Sequence, residues 1–187
     1  LSHAIAEGDG ISVLVEVIDP DAARVAADQG AEGLVVRVPA GAIRDATSLP
    51  LLLYGPDPEG TVAGSADAVV VAAEEAGDRL ADIVETLYDR GIECVLKVRD
   101  EDDLERVLEE LDPEILLLSA EEAQDEQSAV DRLLELLPDV PAGKLAIAEL
   151  RTASREEVEE LERAGVDAVV VTSADVGALV GDLPPDV

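Results

Sequence analysis

The chain has 187 residues, with 13 Lys and Arg against 44 Asp and Glu for a formal charge of −31, and 48% of its positions are hydrophobic. That length supports one sizeable core, while so negative a field repels polyanions and excludes nucleic acid and anionic membrane surfaces as general partners. With two Tyr, no Phe and no Trp, the core must be built from Val, Leu, Ile and Ala, and stacking surfaces for bases or sugars are nearly absent.

Eight short runs rich in Val, Leu and Ile recur along the chain, at 12–17, 33–38, 50–54, 67–72, 93–98, 114–119, 144–149 and 167–171. Each reads as a parallel strand buried on both faces. Between them, helical patterns are clearest at 78–90, 101–111, 128–136 and 154–164. In the last of these Val158 and Leu161 form a narrow apolar stripe among glutamates, so one face is expected to lie on the sheet. Ser154 and Glu157 have capping-box spacing, Asp100 and Asp103 a weaker version of it, and Gly30, Gly91 and Gly165 stand where a left-handed residue would end a helix.

Alternating strands and helices of this kind permit an open doubly wound sheet or a closed barrel. Closure is favoured because no strand reads as a polar edge and no glycine-rich phosphate fingerprint follows the first strand. The expectation is one domain over residues 1–187, a closed parallel (βα)8 barrel below the usual size of about 200 residues. Its second and third helical units must be shortened: 41–47 has room for about two turns, and 55–65, with Pro56, Pro58, Gly60 and Gly64, cannot be a regular helix. Thin cover there would leave the flank of Leu51, Leu52 and Leu53 bare, which predicts a homodimer through that side.

Neither a signal-peptide pattern nor an apolar run of about 18 residues occurs, so a cytoplasmic setting is expected. Cys94 is the one cysteine and reads as an inert core thiol. His3, the one histidine, sits at an end expected to fray, and the acidic clusters lack calcium-loop spacing, so no metal site is expected.

Several stretches resemble indole-3-glycerol-phosphate synthase. They are Ala66-Asp-Ala-Val-Val-Val71, Asp82-Ile-Val-Glu-Thr-Leu-Tyr-Asp-Arg-Gly91 with Val95-Leu-Lys-Val-Arg-Asp-Glu-Asp-Asp-Leu104, and Ser154-Arg-Glu-Glu-Val-Glu-Glu-Leu-Glu-Arg-Ala-Gly-Val-Asp-Ala-Val-Val-Val171. The start, Ala4-Ile-Ala-Glu-Gly-Asp-Gly-Ile-Ser-Val-Leu-Val-Glu16, is similar to the approach to that family's first strand. The resemblance implies a TIM barrel and a decarboxylating, dehydrating ring closure in tryptophan biosynthesis. That is a carboxy-lyase reaction on a phosphorylated substrate, without a cofactor.

Laid on this sequence, the resemblance places the family's first-strand and seventh-strand glutamates at Glu16 and Glu149. Its two lysines fall on Ile18 and Tyr54, its fifth-strand glutamate on Lys97 and its sixth-strand asparagine on Ser119. Leu150-Arg151 replaces a Ser-Gly pair, Thr172-Ser173 replaces a Gly-rich opening, and Asp19-Pro20 leaves no room for the long loop over the active site. Barrel closure would bring Glu16, Arg37, Tyr54, Lys97, Arg99, Ser119, Glu149 and Arg151 to one rim. There they would form either an acid–base site of Glu16, Lys97 and Glu149, with Lys97 as proton donor or carbanion-stabilising cation between the glutamates, or a charge network that satisfies buried polar groups without chemistry. Arg37 and Arg151, which flank the same rim, are with Ser119, Thr172 and Ser173 the candidate phosphate contacts. With both lysines and the covering loop gone, the expected role is a relative that has lost the lyase reaction. The alternatives are residual synthase activity through Lys97, or a non-catalytic scaffold.

Overall fold

The computed structural model describes residues 1–8, 10–37, 39–55, 65–120, 126–151, 153–172 and 176–180. Eight strands form one closed barrel in chain order: β1 (Ser12–Val17), β2 (Gly33–Val36), β3 (Leu51–Tyr54), β4 (Ala68–Ala72), β5 (Glu93–Val98), β6 (Ile115–Ser119), β7 (Leu145–Glu149) and β8 (Ala168–Val171). All neighbours pair in parallel, and the ring closes where Ser12 to Val15 of β1 lie beside Ala168 to Val171 of β8. The described helices are α1 (Ser2–Ala6), α2 (Pro20–Asp28), α3 (Gly41–Arg44), α4 (Ala73–Ala76), α5 (Leu80–Asp89), α6 (Glu101–Glu110), α7 (Glu126–Leu136), α8 (Arg155–Ala164) and α9 (Gly177–Val180).

Strand alternation sorts the apolar residues into two layers. Leu14, Val35, Leu52, Val70, Val95, Leu117, Ile147 and Val170 fill the barrel interior. Their neighbours, among them Val13, Leu34, Leu53, Leu96, Leu116 and Val169, face outward to the helices. Gly33 is a tight point of this packing: a Cβ there would stand 2.6 Å from Leu14 Cδ2. Helix ends follow the local signals. Asp100 caps α6 through the Asp103 amide, Ser154 and Glu157 close a full capping box on α8, and Gly165 ends α8 in the left-handed region at φ 102°.

The first turn of the chain departs from expectation. Residues 2–6 form α1 instead of a frayed end: Ile5 joins the interior cluster, and the Ser2 amide donates to Glu93 Oε2 at 3.0 Å at the start of β5. A short helix thus stoppers the N-terminal end of the barrel. The second unit is shorter than predicted, a single turn at α3, and Arg44 holds it by donating to the carbonyls of Thr47 and Leu49 at 2.8 and 2.6 Å and to Asp67 at 2.8 Å. The third unit falls mainly on 56–64, outside the described residues. The bare flank expected beside β3 is absent, because Leu51, Leu52 and Leu53 are all buried. The homodimer argument loses its premise there. Among the described residues the exposed large apolar side chains are Ile18, Val25 and Tyr88.

Among the described residues no helix is long and apolar enough to cross a membrane. With a formal charge of −31 spread over helix faces, self-repulsion opposes the compact state. Added salt screens it, so the melting temperature is expected to rise as NaCl is raised from low to molar concentration. A flat or falling value in a calorimetric scan contradicts that.

Candidate functional site

Where strands of a barrel end, alternate side chains turn inward and meet, which is why barrel sites form at the C-terminal face. Glu16, Tyr54, Lys97, Ser119 and Glu149 occupy inward positions at the ends of β1, β3, β5, β6 and β7, and Arg37 follows β2 directly. Arg37 bridges the two glutamates, with Nε 3.0 Å from Glu16 Oε2 and Nη2 3.2 Å from Glu149 Oε1. Its guanidinium lies over the Tyr54 ring, 3.8 Å from the centroid. The other oxygen of Glu149 takes the Ser119 hydroxyl at 2.7 Å and stands 3.2 Å from Lys97 Nζ. Lys97, only 4% exposed, also donates to the Tyr54 hydroxyl.

Two carboxylates and two cations therefore neutralise one another in a continuous network. Partial burial pulls the Arg37 guanidinium down, but its hydrogen bond to Glu16 and the charges of Glu16 and Glu149 outweigh this and hold it above its ordinary value. Arg99, two residues past Lys97, pairs with Glu74 of α4 and places Nε 3.2 Å from Asp103 of α6. Between these groups, over the ends of β2 to β5, lies a cavity of about 250 Å³ whose lining includes Arg37, Tyr54, Lys97 and Arg99 together with the acidic residues Glu74 and Glu75.

This arrangement differs from the expected one in specific ways. Arg37 sits between Glu16 and Glu149, the place expected for Lys97, and Lys97 stands beside Glu149. Arg37 and Ser119 join the network as partners of the glutamates. Arg151 and Thr172 do not join it: both are exposed, and they meet each other where the Thr172 amide and hydroxyl donate to the Arg151 carbonyl. Ser173 lies outside the described residues. Tyr54, expected at the rim and standing where the resemblance calls for a lysine, is the residue that both cations share. A leucine strand ending in Tyr, with Arg just past the neighbouring strand, is the available signal.

Away from the mouth, His3 is exposed on α1 with Nδ1 3.3 Å from Glu7, at the opposite end of the barrel. Among the described residues no group of three or more His, Cys, Asp or Glu is arranged to hold a metal. Cys94 faces the outer layer, and burial pushes its thiol up to about 12. The folded state therefore keeps its proton at pH values where the unfolded chain, with an ordinary thiol near 9, has lost it. Stability through this group is unaffected below about pH 8 and declines as pH rises from there toward the folded value. Cys94→Ala is expected to flatten that alkaline decline in urea titrations, and a thiol reagent at pH 8 to label only unfolded chain.

No protein-family profile matches the chain. Fold and mouth together define a compact (βα)8 TIM barrel with a charged cluster at its C-terminal face. The solved structures it resembles agree in fold: it covers 86% of a putative phosphonomutase from Burkholderia cenocepacia with TM-score 0.63 at 18% identity, using 86% of its own length. It likewise covers 90% of a dihydropteroate synthase chain from Xanthomonas albilineans with TM-score 0.69 at 17% identity, using 92% of its own.

In sequence the chain is similar to indole-3-glycerol phosphate synthases. The identity is 26% over 176 residues with that of Shouchella clausii, 29% over 146 with that of Halobacterium salinarum and 25% over 114 with that of a Geobacillus strain. These matches take in 85%, 75% and 60% of this chain but only 69%, 57% and 44% of the relatives' lengths, in the same order.

Proposed function

We propose that this chain is a compact relative of the indole-3-glycerol phosphate synthases in which the lyase reaction has been lost and the mouth residues hold the barrel together. The supporting observation is that the would-be catalytic groups are consumed by one another: Lys97 by Glu149 and Tyr54, Arg37 by both glutamates. A general acid must be aimed at substrate to work. Of the two positions where the resemblance calls for lysine, Ile18 is an exposed apolar side chain at the lip and Tyr54 accepts the hydrogen bond of Lys97. A buried lone thiol and an acidic surface fit a cytoplasmic setting.

One observation favours residual activity instead. Lys97 and Glu149 are a buried acid–base pair within 3.2 Å at a barrel mouth. Purified full chain supplied with the family substrate decides between the two by the appearance of indole product. No product above the buffer rate is expected. Turnover that disappears in Lys97→Ala would overturn the proposed loss and assign Lys97 as the acid.

A further inference from the structure

We propose that the cavity over the ends of β2 to β5 binds a small organic anion through its carboxylate or phosphate group, with Arg99 as the principal contact and Glu74 as a built-in competitor. This goes beyond the reading above and does not depend on the fate of the lyase reaction. The cavity exists because β4 ends in Ala72 and continues into Ala73, small residues beside the long side chains of Arg37, Lys97 and Arg99. Three cations thus line one space of about 250 Å³, enough for an acid group and a short carbon skeleton.

The carboxylates that balance them are placed unequally. Glu16 and Glu149 approach Arg37 and Lys97 from within the mouth, where they are 20% and 11% exposed. Asp103, on α6, is similarly enclosed beside Arg99. Glu74 differs: it is 60% exposed and reaches Arg99 Nη1 from the lip of the cavity. An exposed ion pair of this kind is weak, and a guanidinium edge is suited to planar or tetrahedral oxyanions. A ligand oxyanion can therefore replace the Glu74 carboxylate on Arg99 without disturbing the inner network. The position is across the mouth from Arg151 and Thr172, which follow β7 and β8.

The test is calorimetric titration of the full chain with inorganic phosphate and with malonate at fixed ionic strength. Measurable binding of at least one is expected. Glu74→Gln should tighten it several-fold by releasing Arg99, whereas Arg99→Ala should weaken it about tenfold, the loss of one charged hydrogen-bond contact. Tighter phosphate assigns a phosphate ester as the ligand class, and tighter malonate a carboxylate. No heat with either anion in both the unaltered chain and Glu74→Gln, or affinities unchanged by both substitutions, overturns the site. Detection of lyase turnover would remove the proposed loss of activity and leave this site standing if anion affinity still followed Arg99 and Glu74.

Discussion

Glu149→Ala is expected to destabilise the fold by about 3–5 kcal/mol, the cost of breaking a buried ion pair by removing one partner. The carboxylate serves three donors at once, Arg37 at 3.2 Å, Ser119 at 2.7 Å and Lys97 at 3.2 Å. Without it the Lys97 ammonium, 4% exposed, loses the carboxylate that stands 3.2 Å away and has little access to water in its place. Lys97→Met should cost much less, because Glu149 retains Arg37 and Ser119 and the thioether chain fills the same space. The double variant Lys97→Met with Glu149→Ala should be more stable than Glu149→Ala alone. Urea denaturation of the three proteins checks this. Equal losses in both single variants would show that the network is solvated and that its members do not depend on one another.

The second large effect lies one layer deeper. Leu117→Ala should cost about 2–5 kcal/mol, the range for a cavity left by a fully buried leucine. Leu117 faces the interior at 1% exposure, paired in register with Lys97 and Ile147. Strands hydrogen-bonded in a ring cannot slide inward to refill the space. Leu117→Met, which conserves volume, should stay below about 1.5 kcal/mol. Val25→Ala, on an exposed helix face, should fall within about 0.5 kcal/mol of the unaltered chain. A loss for Leu117→Ala no larger than that of Val25→Ala would contradict a packed interior.

The strands were legible because parallel strands buried on both faces are apolar throughout, and that pattern survives without tertiary information. Their starts were read one residue early at Asp67 and Asp167 for a physical reason. Those carboxylates bind the amides of Leu51 and Ala146 on neighbouring strands, at 2.8 and 2.7 Å, so they belong to the barrel without lying in its ladder. The end of β2 was read late because Arg37 leaves the ladder to turn into the mouth.

The members of the mouth cluster could be named from strand ends alone, since closure brings every strand end to one rim. Which member pairs with which depends on side-chain length and barrel stagger, and so Lys97 was placed where Arg37 stands. The α1 stopper was missed because five residues carrying one buried isoleucine leave no periodic signal.

The scarcity of aromatic residues has a practical side. The chain holds two tyrosines and no tryptophan, and one of the two, Tyr54, lies beneath Arg37 and accepts from Lys97. The other, Tyr88, sits half in solvent on α5. Replacing Tyr88 with phenylalanine leaves a single tyrosine emitter, located in the charged mouth itself. Its intrinsic fluorescence then becomes a label-free optical gauge of whatever enters or rearranges there.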